Sequence, residues 1–287
     1  MYALYILRRL TNLLRKIRGG VLIGEIVRKS MSANRKTVRV DDFDGDLIMY
    51  LDLSEHMQGQ IFWHGSYSID IIALLKRLSL CGGSVIDCGA NVGEISLLAA
   101  KLVGPAGQVY SFEPIGRLAD QLERHRDENN FSNIEILRVG VARESGASPI
   151  YMAAGRFADG SHHDGLGTLF PTEARSTPVG EISLVSIDDF ARSRNLQRLD
   201  LIKIDIEGGE LSALQGATHV FATLKPALIV EVSDQTCRAA GYTMQDLYWF
   251  LGENGYIIHA IRRKGALEAL DVDDLSEFQN LYCVARA

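Results

Sequence analysis

The run Val85-Ile86-Asp87-Cys88-Gly89-Ala90-Asn91-Val92-Gly93 constrains this chain more than any other feature. An apolar stretch of strand length passes through a glycine turn and opens a helical pattern at Glu94. In a doubly wound sheet such a turn falls at the carboxyl end of the first strand, where ligands bind. Glycine there permits positive φ and close backbone approach, and the following helix aims its amide groups at the ligand. A G-x-G-x-x-G dinucleotide loop would need glycine at 91, where Asn stands.

From residue 84 onward, apolar runs of strand length alternate with amphipathic segments. Strands are expected over 84–88, 108–112, 134–141, 182–186, 199–204, 227–232, 256–261 and 280–285. Helices are expected over 94–102, 117–129, from 210, and over 244–253. This alternation implies an α/β fold with a mostly parallel sheet covered on both faces. Ahead of it, 38–52 reads as a hairpin turning at Asp44-Gly45, and 69–80 as a helix. An aromatic and polar stretch, Phe62 to Tyr67, lies between them. The segment from about 143 to 180 is rich in turn residues; its loop 155–167, with His162-His163-Asp164, reads as a substrate lid or a surface loop. The domain division that follows is 1–30, 31–80 and 81–287.

Composition excludes several classes. At 287 residues, 47% apolar and 23% charged, the chain has the makings of a globular core. It holds no run of 18 apolar residues, so no membrane-spanning helix is expected. Cysteines stand at 81, 88, 237 and 283, a spacing unlike that of a metal or redox motif, which fits a reducing cytoplasm.

Charge is unevenly placed. Residues 1–40 carry ten Lys or Arg against one acidic residue, a balance of +9, and the remainder carries twenty against thirty-five, a balance of −15. An acidic body repels phosphates, so no nucleic acid partner is expected. Residues 1–30 read as an amphipathic helix broken at Gly19-Gly20, with Leu7, Leu10, Leu14 and Ile17 forming a stripe widened by Ile6 and Leu13. Two readings fit: a helix lying on an anionic membrane surface, peripheral at its inner face, or a helix packed on the main domain or on a second subunit.

Three sites carry the chemistry. The first is the turn after Asp87. The second is Glu113, 24 residues after Gly89 at the end of the second strand, where a carboxylate can accept hydrogen bonds from both ribose hydroxyls of an adenosine group. The third is Lys203-Ile204-Asp205-Ile206-Glu207-Gly208-Gly209-Glu210. Asp205 and Glu207 fall at the carboxyl end of the fourth strand, where two carboxylates suit proton removal or cation binding. Glu210 reads instead as a helix N-terminal charge.

The segment 85–93, the Phe112-Glu113-Pro114 strand end, Ser186-Ile187-Asp188-Asp189-Phe190 and the run 200–210 occur in the order and spacing of the FkbM family of class I S-adenosylmethionine-dependent methyltransferases, which this chain resembles over about 80–235. Cys88 stands where Val is common and Gly209 where Ala is common, and neither change removes a polar group. The resemblance implies a Rossmann-like seven-stranded sheet with a small N-terminal extension. It implies O-methylation of a hydroxyl on a sugar, glycan or natural product, with S-adenosylmethionine as methyl donor. It assigns Gly89, Ala90, Asn91 and Gly93 to the methionine portion, Asp87 to the loop or the amino group, and Ser96 to the carboxylate. Glu113 and Pro114 go to the ribose side, and Val141-Ala142 to the adenine.

An alcohol is a poor nucleophile, so a base or a bound cation should assist. Asp205 is the first choice, with Glu207 and Glu231 nearby at strand ends and His64 an alternative from the flanking loop. A divalent cation is compatible but not indicated. The rival readings are a nicotinamide-dependent oxidoreductase on a similar fold and a non-catalytic membrane-surface scaffold. Nucleic-acid amino methylation is disfavoured, because Asp205-Ile206-Glu207 replaces the usual proline-aromatic sequence. A homo-oligomer is compatible with all of these.

Overall fold

The computed structural model describes residues 2–14, 20–31, 37–152, 167–171 and 177–286. Two helices open the chain, α1 (Tyr2–Leu14) and α2 (Gly20–Met31). The hairpin β1 (Thr37–Phe43) and β2 (Leu47–Asp52) follows, then α3 (His56–His64) and α4 (Ile69–Leu75). The expected turn is present: Asp44 and Gly45 both take positive φ. Phe62, Trp63 and His64 belong to α3 and are buried, so this stretch is helix rather than loop. The expected helix 69–80 ends at Leu75, ahead of the Gly82-Gly83 turn.

The alternating region begins with β3 (Ser84–Cys88), α5 (Glu94–Val103), β4 (Gln108–Phe112), α6 (Gly116–Glu128) and β5 (Ile134–Leu137). Short β6 (Gly140–Val141) leads to β7 (Gly146–Met152), β8 (Gly167–Thr168), β9 (Pro178–Val185) and α7 (Ile187–Ser193). After β10 (Leu201–Ile204) come α8 (Glu210–Gln215), α9 (Thr218–Thr223), β11 (Ala227–Ser233), α10 (Asp234–Ala239) and α11 (Met244–Glu253). The chain closes with β12 (Tyr256–Arg262), β13 (Ala266–Ala269) and β14 (Phe278–Ala285).

The main sheet has the order β13-β12-β14-β11-β10-β3-β4-β5. Five strands, β5 through β11 in that row, run parallel, and β14, β12 and β13 continue antiparallel. This is the expected class I methyltransferase sheet of seven strands, with β13 added at the edge. Alternation along β3 divides the core: Val85 joins the cluster on one face with Leu97 and Trp63, and Ile86 joins the other with Phe190 and Ile202. The β1–β2 hairpin, α3 and α4 contribute Phe43, Met49, Leu51 and Leu74 to the first cluster.

Two expectations need correction. The strand 134–141 is broken after Leu137, and its end pairs elsewhere as β6. The turn-rich segment after 143 carries two strands not expected there, β7 and β8, of a second sheet ordered β6-β9-β7-β8, in which β9 answers the strand expected over 182–186. Its strands are mostly exposed on both faces, which weakens the apolar alternation that marks a strand. Residues 153–166, with His162, His163 and Asp164, lie outside the described residues.

Candidate active site

The parallel strands β3, β4, β10 and β11 end on one rim, where a cleft opens. Asp87, Gly89, Ala90 and Asn91 line one side, with Glu113, Pro114 and Val141 beside them. Lys203, Asp205, Glu207 and Glu231 line the other. Tyr67 and Ser68 from the N-terminal segment, and Ile150, Thr168 and Leu184 from the small sheet, complete the walls.

Asp87 is fully buried at the end of β3. Its Oδ2 accepts a 2.6 Å hydrogen bond from the Ser96 hydroxyl, which in turn accepts one of 2.7 Å from Ser111. Ser96 is therefore occupied in orienting Asp87, and it does not line the cleft; the role expected for it, reaching a carboxylate, is not supported. Asp87 Oδ1 stands 3.5 Å from the Lys203 ammonium and has no hydrogen bond among the described residues. A buried carboxylate oxygen short of a donor at a cleft wall fits an ammonium group from a ligand.

The turn itself is shaped by its neighbours. Gly89 has φ of 76°, and a Cβ there would lie 1.9 Å from the Asp205 carbonyl oxygen. Glycine is thus demanded by the crossing of two strand ends, as well as by any ligand. Gly93, also at positive φ, would place a Cβ 2.2 Å from Leu122, and neither it nor Ala142 lines the cleft. Asn91, at φ of 51°, donates its backbone N–H to Glu113 at 2.8 Å.

Glu113 accepts a second backbone hydrogen bond from Ile115 at 2.9 Å and is 4% exposed. Burial pushes its carboxyl up to about 7, against those two N–H groups. Each carboxylate oxygen keeps a further acceptor site, so the group can still take two donors from a diol.

On the opposite wall, Lys203 donates to the Gly89 carbonyl at 3.2 Å and stands 3.3 Å from Asp205. Burial works to lower it, yet Asp205, Asp87 and Glu231 hold it above the ordinary lysine range. Glu231 is pushed up to about 9 by burial and then by Asp205, with Lys203 opposing. Glu207 sits at φ of 56°, a left-handed conformation rare for a side chain of its kind. Its carbonyl accepts the Thr168 hydroxyl at 2.7 Å. Glu210 holds this turn from within, accepting from the N–H groups of Ile206 at 2.9 Å and Gly208 at 3.0 Å. Among the described residues no three His, Cys, Asp or Glu side chains are arranged to hold a metal ion.

His64 is not part of this cleft. Its Nε2 lies 2.9 Å from Glu25 on α2, and it is buried at the far end of α3 from the cleft-lining Glu55 and Met57. The helix directs it away from the rim, so the alternative base is withdrawn.

Cleft side chains without a site motif in the sequence include Lys203, Tyr67, Glu94 and Thr168. Lys203 had a signal, since a lysine inside the apolar strand Leu201–Ile204 must find an anionic partner. Glu94 is fully buried and accepts the backbone N–H groups of Tyr67 at 2.6 Å and Ser68 at 3.0 Å. It ties the N-terminal segment to the helix that follows the glycine turn. The Tyr67 hydroxyl is pushed up by burial and by Glu231, Asp205 and Glu207, whose charges it faces.

A profile of the methyltransferase FkbM domain matches residues 87–258, from the buried Asp87 to β12. The chain belongs to the FkbM methyltransferase family. Its similarity to individual relatives is distant. A hexuronic acid methyltransferase, AglP, from Haloferax volcanii is 27% identical over 168 residues, 57% of this chain and 61% of that one. The methyltransferase sdnD of Sordaria araneosa is 24% identical, over 51% of this chain and 65% of its own length. The AMB antimetabolite synthetase AmbE of Pseudomonas aeruginosa is 22% identical over 87% of this chain but only 13% of its own length. The chain thus spans less than two thirds of the length of each of these relatives. Among solved structures, the FkbM methyltransferase from Methylobacillus flagellatus covers 92% of this chain and 60% of that one at 20% identity, with a TM-score of 0.47.

Proposed function

We propose that this FkbM protein is an S-adenosylmethionine-dependent O-methyltransferase acting on a hydroxyl of a sugar, glycan or related natural product. The observation that carries the reading is the pairing of Asp87 with Glu113 at the ends of adjacent strands. A buried carboxylate oxygen short of a donor stands beside a carboxylate with acceptor sites to spare. That donor set suits an amino acid at one end and a ribose at the other. Asp87 would hold the amino group, Glu113 the ribose, and the backbone of Gly89, Ala90 and Asn91 the portion between them. Pro114 and Val141 would border the adenine.

When bound, S-adenosylmethionine supplies an electrophilic methyl group on a positively charged sulfur. The residues of this chain do the rest. Asp205 would accept the proton that the acceptor hydroxyl loses as its oxygen takes the methyl group, the carbon–sulfur bond breaking and S-adenosylhomocysteine leaving. Glu231, held protonated at neutral pH, offers an O–H donor that orients the acceptor. Glu207 and Tyr67 flank the acceptor's approach. The carboxylate-rich rim favours a neutral polyol over an anionic acceptor, which separates this site from that expected of AglP, a hexuronic acid methyltransferase.

The test is transfer from methyl-labelled S-adenosylmethionine to a panel of sugars, uronic acids and hydroxylated natural products, with the product methyl located by NMR. Appearance of a methoxyl signal supports the reading. Label on nitrogen, or calorimetric binding of NAD with none of S-adenosylhomocysteine, overturns it.

A further inference from the structure

Helices α1 and α2 are fixed to the body by one side only. Leu4 and Leu7 pack on the core cluster, Arg8 and Thr11 are buried, and Arg8 pairs with Asp42 while lying over the Phe62 ring. From α2, Gly24 abuts the His64 ring, where a Cβ would meet it at 2.5 Å, and Glu25 binds His64 and Gln60. The stripe expected from the sequence is therefore divided: Leu7 faces the core, and Leu10 does not. Ile6, Leu10 and Leu13, at spacings of four and three, are 50–59% exposed. Leu22, Ile23 and Ile26 on α2 are 48–69% exposed. The two helices pack against each other, so the chain leaves a six-residue aliphatic surface open to solvent.

We infer that this outward surface of α1 and α2 docks on an anionic lipid bilayer. Charge selects the occupant. The first 40 residues carry a balance of +9 and the rest −15, so an anionic surface attracts this end of the chain and repels the body. Arg9 and Lys29 are exposed on the same two helices, and Arg15, Lys16 and Arg18 lie between them in sequence. A second copy docking by the same face would set two basic segments against each other. A protein interface core characteristically carries aromatic anchors, and none of these six residues is aromatic. With 13 and 12 residues, neither helix is long enough to cross a bilayer, and no described helix is long and apolar enough to do so. An aliphatic face on helices that also expose basic residues, here Arg9 and Lys29, is the pattern of helices lying at the headgroup boundary.

The experiment is sedimentation of the full chain with vesicles of phosphatidylglycerol and phosphatidylcholine, or of phosphatidylcholine alone, at low and high salt. The full chain should pellet with the anionic vesicles at low salt and be released as salt screens the charges. The double variant Leu10→Asp/Ile26→Asp, altered only at exposed positions, should lose roughly tenfold or more in partitioning. Its affinity for S-adenosylhomocysteine and its circular dichroism should match the parent. Full-length protein that stays in the supernatant at low salt overturns the inference, as does equal pelleting of the variant. A dimer that the double variant turns into a monomer, with no vesicle binding, assigns the face to a second copy instead.

Discussion

The Lys203 ammonium lies 3.3 Å from the Asp205 carboxylate, and from that position it also donates to the Gly89 carbonyl at 3.2 Å. One buried cation thereby links the glycine turn to the carboxylate proposed as base. Lys203 is 4% exposed, and the fully buried Asp87 is its other partner at 3.5 Å. Removing one member of a buried ion pair costs about 3–5 kcal/mol, because the remaining charge is left without compensation. Lys203→Met keeps the length of the side chain and deletes the charge. It should lower unfolding stability by about that amount at pH 8, as read by urea denaturation. A variant within about 0.5 kcal/mol of the parent would show that water, rather than Lys203, compensates Asp87 and Asp205.

Asp205→Asn should separate chemistry from cofactor binding. The amide preserves shape but takes up no proton, and loss of a general base costs about 10²–10⁴-fold in kcat. Asp205 has no place in the donor set assigned to the cofactor, so affinity for S-adenosylhomocysteine should stay within about threefold of the parent. Single-turnover methyl transfer and calorimetry read the two quantities. Unchanged turnover moves the proton acceptor to Glu207.

Glu113→Ala should act in the opposite sense. Loss of two hydrogen bonds to a charged acceptor, roughly 2–3 kcal/mol, corresponds to about 30–150-fold in affinity for S-adenosylhomocysteine. The pH dependence adds a second signature. With its carboxyl pushed up to about 7, Glu113 is ionised by only half at neutral pH before a ligand binds. Affinity should therefore rise between pH 6 and 8, and Glu113→Gln should flatten that rise. A parent protein with flat affinity over this range would mean that the ribose does not meet the ionised carboxylate.

Much of this site is written in local sequence, because strand–turn–helix units are local. The β3, β4 and α11 boundaries fall where the apolar pattern ends, and the turns at Gly89 and Gly208 announce themselves by glycine. The long-range parts are different. Glu94 looks like an ordinary acidic residue in a first helical turn; only the fold brings it against the Tyr67 and Ser68 amides. His64 carries the chemistry of a base, yet the helix it ends directs it to Glu25. Of the small sheet, β9 is legible over 182–186, whereas β7 is not, because only Ile150 along it is buried and no alternation survives.

Glu231 makes the stability of the fold depend on pH. Its carboxyl is pushed up to about 9 by burial and by Asp205, from an ordinary value of 4.5. Between those values the folded chain binds a proton that the unfolded chain has already released. Stability therefore falls as pH rises across this window, by roughly 1 kcal/mol per pH unit for one such group. Glu113, raised to about 7, adds to the same slope in its lower part. The ligand-free protein should accordingly melt at its highest temperature at mildly acidic pH and lose stability steadily toward pH 9. Glu231→Gln removes the ionisable group while keeping a hydrogen-bonding side chain, so it should raise the melting temperature strongly at pH 8.5 and several-fold less at pH 5.5. Parallel melting curves for parent and variant across the whole range would show that Glu231 is ionised in the folded chain, and would end its proposed role as a donor to the acceptor.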